Sequence, residues 1–309
     1  MSILLIGIEG QLGSELALRL PRIGAFYKTY FGRPVAGTAN AIELDLTDHE
    51  KLEAVLKRTR PGLVINAAAY TAVDPAESNH ADAMQLNAEA PAVIANWAAA
   101  NGSALIHYST DYIFDGQTSQ AYVETDTPAP INFYGESKWA GEQAITDSGC
   151  RACIIRTSWI YSAASGNFLR TMYRLATERQ TIKVVSDQVG RPTWAVNLAN
   201  ASLVLAQSLR SNTPAPKFSL YHYADEQVMS WYEFAVKIVE AAQAAGLLES
   251  VPQITPVDTS QYPSAAARPH NSVLDCGRFL AEYDFKPVDF DTALSRVMST
   301  ISQANRKTA

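Results

Sequence analysis

The chain opens on an unbroken apolar run, Ile3-Leu4-Leu5-Ile6. Such a run marks a strand covered on both faces, because a strand with one wet face would alternate apolar and polar positions. A glycine-rich turn follows from Gly7 to Gly13, and residues 14–20 then space their apolar side chains as a helix does. Strand, glycine turn and helix form the opening unit of a doubly wound α/β fold. The rhythm recurs: Leu63-Val64-Ile65-Asn66 reads as a strand behind the breaker Pro61-Gly62. The alanine-rich stretch 75–100 predicts one long helix, stopped at Asn101-Gly102. Residues 104–108 predict the next strand, 132–146 a helix and 153–156 another strand. Strands alternating with helices imply a parallel sheet with right-handed crossovers.

After about Tyr161 the pattern changes. Residues 167–180 are amphipathic at helical spacing, 184–193 read as strand and loop, and 231–245 as a helix behind a Ser230 cap. Residues 255–271, rich in Pro, Ser and Ala, read as an ordered loop. The expected architecture is α/β: a Rossmann-like doubly wound parallel sheet with a smaller C-terminal substrate-binding lobe over the carboxyl ends of the strands. Residues 1–160 would form the dinucleotide-binding domain. Residues 161–309 would form mainly the lobe, with segments returning to the Rossmann domain.

Composition narrows the function classes. The 309 residues are 47% hydrophobic and 18% charged, enough for a sizeable core. A net charge of -6 argues against nucleic acid as a partner, which would need a basic surface. No stretch approaches the ~18 continuous apolar residues of a membrane span, and the first residues lack the basic region and cleavage site of a signal peptide. A cytoplasmic location is the expectation. Cys150, Cys153 and Cys276 do not form a disulfide framework, and Cys150-x-x-Cys153 lacks the second pair a zinc site would need. They read as buried small hydrophobes.

The turn Gly7-Ile8-Glu9-Gly10-Gln11-Leu12-Gly13 lets the backbone approach a pyrophosphate, with the positive N-terminus of the next helix behind it. Its place between a buried strand and a helix gives the triplet its weight. NAD enzymes often put an acid at the end of the second strand to hold the ribose 2'-hydroxyl. Here that region, 25–33, carries Lys28 and Arg33 and no acid, which leans to NADPH, with NADH as the alternative. Small residues in Asn66-Ala67-Ala68-Ala69-Tyr70 would let the cofactor lie close to the next strand end.

Tyr134-Gly135-Glu136-Ser137-Lys138 places a phenol and an ammonium four residues apart, on one helical face. The charge would lower the phenol's pKa, and the tyrosine could then give a proton to a carbonyl as hydride arrives. Lys138 could also bond the nicotinamide ribose. The preceding strand ends His107-Tyr108-Ser109-Thr110-Asp111-Tyr112. Thr110, with Ser109 as the alternate, could polarise a substrate carbonyl, and Tyr112 could line the pocket. His107 reads as structural.

Taken together, Gly10-Gln11-Leu12-Gly13, the run from Asn66 to Asp74, Ser109-Thr110-Asp111-Tyr112-Ile113-Phe114-Asp115-Gly116, the Tyr134 to Lys138 motif, Arg156-Thr157-Ser158-Trp159-Ile160-Tyr161 and Arg268-Pro269-His270-Asn271-Ser272 resemble one family. It is the dTDP-4-dehydrorhamnose reductases, within the extended short-chain dehydrogenase/reductases. The resemblance runs from residue 1 to about 280. It implies reduction of the 4-keto group of dTDP-4-dehydro-L-rhamnose by NADPH or NADH, the last step of dTDP-L-rhamnose synthesis for cell-surface polysaccharide. It implies catalytic roles for Thr110, Tyr134 and Lys138, with Tyr134 as proton donor. It also implies adenine contact at Asp45 and Leu46, and substrate contact at Thr71, Val73, Asp111, Tyr112, Trp159 and Arg268, with the Trp159 indole stacked on the deoxysugar.

The sequence departs from the family pattern at Gly190-Arg191-Pro192-Thr193, in the longer segment 21–41, and at Val196, where some relatives carry a glutamate for interfacial magnesium. Glu15 alone is a poor magnesium site, so no metal and no metal-linked dimer is expected, only a monomer or homodimer. Two rival readings remain. One is another nucleotide-sugar reductase or an epimerase; a dehydratase is disfavoured because Thr110 is followed by Asp111-Tyr112 and not by an Asp-Glu pair. The other is a non-catalytic, cofactor-binding regulatory subunit of the methionine adenosyltransferase type.

Overall fold

The computed structural model describes residues 2–32, 40–164, 166–210 and 217–308. Successive side chains of the opening strand divide between two cores, as the period of two requires. Ile3 and Leu5 join one apolar cluster, and Leu4 and Ile6 the other, on the opposite face of the sheet. The neighbouring strands divide in the same way: Leu63 and Ile65 against Val64, Ile106 against Leu105, Cys153 and Ile155 against Ala152 and Ile154.

Among the described residues, seven strands build this sheet: β1 (Ile3–Ile6), β2 (Phe26–Tyr30), β3 (Ile42–Glu43), β4 (Leu63–Asn66), β5 (Ala104–Thr110), β6 (Arg151–Thr157) and β7 (Phe218–His222). Their spatial order is β7-β6-β5-β4-β1-β2-β3, and every pairing is parallel. The order reverses between β1 and β4, which opens the crevice where doubly wound folds bind ligands.

Helices His49–Thr59 and Ala90–Asn101 cover one face through Leu52, Leu56, Ile94 and Ala98. The other face is covered by Gln11–Arg19 and by Ala195–Arg210, so the chain returns to the first layer well after residue 161. A separate core joins helices Phe168–Glu178, Trp231–Ala244 and Phe290–Thr308 around Leu169, Phe234, Ile238 and Leu294. Strand Thr181–Val185 pairs in parallel with Gln253–Val257 at its edge. Part of the stretch expected to be loop is therefore strand.

The long helix expected over 75–100 is interrupted. It runs as Val73–Ala76, His80–Met84, a π-helical turn at Gln85–Glu89 and then Ala90–Asn101. Pro91 has no N–H for the carbonyl of Asn87 four residues back, so the helical ladder opens there. The opening turns Asn87 inward, where it is fully buried. All three cysteines are buried and free.

Candidate active site

A cavity of about 980 Å³ lies between the carboxyl ends of β1, β4, β5 and β6 and the second core. Gly7, Gly10, Gln11 and Leu12 line one end of it, with Ala67, Ala68 and Ala69 opposite. Gly7 has φ 84, and a Cβ there would sit 2.9 Å from that of Ala68. Gly13 is behind the cavity; a Cβ on it would strike the Gly7 carbonyl oxygen, so glycine lets the helix begin against the loop. The Gln11 side chain reaches across to the second lobe. Its Nε2 donates to Ile160 O (3.2 Å), and its Oε1 accepts from Ser162 Oγ (2.8 Å) and Asn167 Nδ2 (2.7 Å).

Other expected cofactor residues sit further back. The Asn87 amide fixes Tyr70, accepting from its N–H (2.9 Å) and donating to its carbonyl (3.0 Å). Asp45 lies just beyond β3, where Oδ1 accepts from the Thr47 N–H (2.9 Å) and hydroxyl (2.8 Å). Leu46 belongs to the core on that face. Arg33 lies outside the described residues.

The helix Phe133–Ser148 begins at the cavity because Asn132 caps it. The Asn132 Oδ1 accepts from Gly135 N–H (2.8 Å), and Nδ2 donates to Ala267 O (2.8 Å). This brings Tyr134 and Lys138 to the wall beside the end of β5. There the Thr110 hydroxyl accepts from Tyr112 N–H (3.2 Å) and donates to Asp111 Oδ1 (3.0 Å). Tyr112 meets Tyr134 edge to face at 6.0 Å between ring centres.

The charge states differ from the expected picture. Burial pushes the Tyr134 phenol up to about 12, opposed by a hydrogen bond with Thr110. Lys138 does not lower it, because Nζ is turned the other way: it donates to Tyr108 O (2.6 Å) and lies 3.3 Å from His107 Nε2. Burial brings the lysine itself down to about 8, against the pull of the Glu142 carboxylate. Tyr134 is thus a protonated phenol, ready to donate. Burial raises Asp111 to about 7.

Four buried polar atoms on this lining have no hydrogen-bond partner: Ser109 Oγ, Asp111 Oδ2, Thr157 Oγ1 and Trp159 Nε1. Each such group costs about 1–3 kcal/mol until something bonds it. Their residues all belong to the cavity lining that also holds the glycine loop.

The remaining expected substrate residues divide. Thr71 and Val73 line the cavity beyond β4. Arg268 lines it too, but its guanidinium grips Asp74, with Nη1–Oδ1 3.0 Å and Nη2–Oδ2 2.8 Å, and holds that carboxyl below its usual range. Trp159, at φ 44, has one ring face stacked on Trp231, 3.4 Å between centres and 8° from parallel. Gly190 abuts the same ring, since a Cβ there would come within 2.5 Å of it. The Trp159 ring is thus covered by Trp231 and Gly190, and its Nε1 is buried. Trp231 lines the cavity without having been singled out in the sequence, and Asn87 and His107 are buried behind the lining. A polar signal was available for Asn87 and His107, which interrupt apolar stretches and need buried partners; Trp231 had none nearby.

Glu15 is ion-paired with Arg19. Among the described residues no helix is long and apolar enough to cross a membrane.

Comparison with known proteins agrees with this geometry. The family described as the RmlD substrate binding domain matches residues 1–303. The chain is similar to a dTDP-4-dehydrorhamnose reductase of Burkholderia thailandensis, 43% identical over 279 residues, covering 89% of this chain and 90% of that one. Its fold is similar to the crystal structure of a dTDP-4-dehydrorhamnose reductase from Clostridium acetobutylicum, with a TM-score of 0.84, 30% identity, and 98% and 100% of the two chains covered. It is also similar to the Bacillus anthracis dTDP-4-dehydrorhamnose reductase in complex with NADP, with a TM-score of 0.82, 32% identity, and 96% and 98% covered.

Proposed function

We propose a reaction from one premise: the chain belongs to the RmlD substrate binding domain family. It reduces the 4-keto group of dTDP-4-dehydro-L-rhamnose to give dTDP-L-rhamnose, with NADPH as reductant. The observation that carries this reading is that Thr110, Tyr134 and Lys138 line one cavity together with the glycine loop.

NADPH, when bound, supplies the hydride. The backbone from Gly7 to Leu12 and the N-terminus of the helix Gln11–Arg19 would hold its pyrophosphate. Ala67, Ala68 and Ala69 would leave room for the ribose, and Asp45 and Leu46 would meet the adenosine end, with Arg33 as the candidate for the 2'-phosphate. Lys138, which lines the same cavity, would turn from Tyr108 O to meet the ribose hydroxyls near the nicotinamide. Thr110 and Tyr134 bond the keto oxygen and stabilise charge developing on it. The buried phenol then gives up its proton to that oxygen, and general acid help of this kind contributes roughly 10²–10⁴ in rate. Thr71, Val73, Asp111, Tyr112 and Trp159 would hold the sugar. Arg268 braces this wall through Asp74.

Residues 1–160 serve as the dinucleotide domain and 161–309 mainly as the sugar lobe, with Ala195–Arg210 and β7 returning to the sheet layer. The enzyme acts in the cytoplasm as a monomer or homodimer. Glu15 is committed to Arg19 and Val196 offers no oxygen, so the dimer would not be metal-linked. A full set of proton-transfer groups favours catalysis over the regulatory-subunit reading.

The test is incubation with dTDP-4-dehydro-L-rhamnose and NADPH or NADH in separate reactions. Formation of dTDP-L-rhamnose with matching loss of reduced cofactor is expected. Absence of product with both cofactors, from protein that binds one of them, would overturn the assignment.

A further inference from the structure

Behind the cavity wall, three polar side chains run in line through the apolar sheet. Sheet register places Asn66 at the end of β4 directly beside His107 in β5, and both are 1% exposed. Asn66 Nδ2 lies 3.3 Å from His107 Nδ1, and His107 Nε2 lies 3.3 Å from Lys138 Nζ. At the far end Asn66 Oδ1 accepts from the Ala68 N–H (3.3 Å), and Ala68 is part of the cavity lining.

The direction of the chain follows from its ends. A backbone N–H can only donate, so Asn66 turns its oxygen to Ala68 and its amide NH₂ to the imidazole. Nδ1 must then accept, and a neutral ring carries its proton on Nε2, pointing at Lys138. Burial keeps the ring neutral. A free amine has a lone pair to receive that N–H; an ammonium does not.

We propose that His107 is a positioning residue for the reduction, holding Lys138 Nζ from behind and setting, through the tautomer that Asn66 imposes, the pH range over which the lysine is charged. The proposal rests on the assignment of Lys138 to the reaction. For the ammonium form to be well bonded, the ring must shift its proton to Nδ1 and the Asn66 amide must turn. The Ala68 N–H then loses its acceptor at the wall assigned to the cofactor, so lysine charge and that wall are linked. On its own helix Lys138 has Tyr134 one turn before it and Glu142 one turn after it, and from β5 it meets His107 and Tyr108. Glu142 is bound by Arg156 of β6 at 2.8 Å.

Two measurements test this. The first is the pH dependence of kcat/KM for the parent, His107→Gln and Lys138→Met, with NADPH affinity measured alongside. A glutamine can turn its amide oxygen to Nζ and favour the ammonium. The limb set by Lys138 should then move up by about half a pH unit or more, kcat should fall about tenfold, and NADPH affinity should stay within about threefold. A limb superimposable on the parent's, with Lys138→Met inactive, overturns the proposal alone. Parental turnover in Lys138→Met overturns the lysine assignment and the proposal with it. The second measurement needs no variant and so does not depend on His107→Gln folding. In ¹⁵N-histidine NMR of the unmutated protein without cofactor, recorded above about pH 8 where Lys138 is a free amine, the two buried rings, His107 and His222, should show opposite tautomers. His222 Nδ1 lies 2.9 Å from Tyr122 O and must donate to it. Two buried rings of the same tautomer overturn the proposal.

Discussion

On the sheet side of the cavity, Thr110, Asp111, Tyr134 and Lys138 come from the end of β5 and the start of one helix, held by short hydrogen bonds within the turn and at the Asn132 cap. On the lobe side, Trp159, Gly190 and Trp231 come from three segments far apart in the chain, held by ring stacking and close approach. The first wall carries polar groups that can exchange protons. The second is aromatic, and the Trp159 Nε1 is buried within it. The difference teaches that proton transfer is built into the layer every member of such a fold must form, whereas sugar recognition depends on how the added lobe closes over it. Damage to the first wall should therefore appear in kcat, and damage to the second in KM.

The sharpest separation is expected from Tyr134→Phe. It removes the only group assigned to donate the proton, and kcat should fall by roughly 10²–10⁴ while NADPH affinity, measured by fluorescence titration, is nearly unchanged. Next comes Thr110→Val, which deletes one hydroxyl from the keto oxygen's surroundings and should lower kcat about 10²-fold with little change in KM. On the other wall, Trp231→Ala frees a face of Trp159. Loss of the stack should raise KM about three- to tenfold with kcat nearly kept; a kcat loss as large as that of Thr110→Val would erase the distinction between the walls. The smallest effect concerns stability. Burial lifts Asp111 from 3.8 to about 7, so the folded state holds this proton more tightly than the unfolded chain. The associated stability is fully present below about pH 4 and lost as pH rises through about 7. Asp111→Asn lacks the ionisation, and its melting temperature should decline less than the parent's over that range.

The same contrast governs what could be read from residues alone. Ile3–Ile6 and Leu63–Asn66 announce themselves because buried parallel strands must be apolar throughout. Tyr134 and Lys138 are visible because a helix turns their spacing into a shared face. The break in the helix at Asn87 was missed, since alanine-rich composition outweighed the absent N–H of Pro91. The lowering of the Tyr134 pKa failed for a tertiary reason: Lys138 finds its partners on β5, which no local spacing reveals. Trp159 was legible as a pocket residue, but not its cover by Trp231. That stack depends on how the helix Trp231–Ala244 docks after the chain has crossed back to β7.

The most direct test of the central claim is hydride tracing with NADPH deuterated at its transferable position and dTDP-4-dehydro-L-rhamnose as acceptor. The account predicts dTDP-L-rhamnose carrying deuterium at C4 of the sugar, from the parent enzyme and far more slowly from Tyr134→Phe. Product without label at C4, or equal labelling rates in the two proteins, would contradict it.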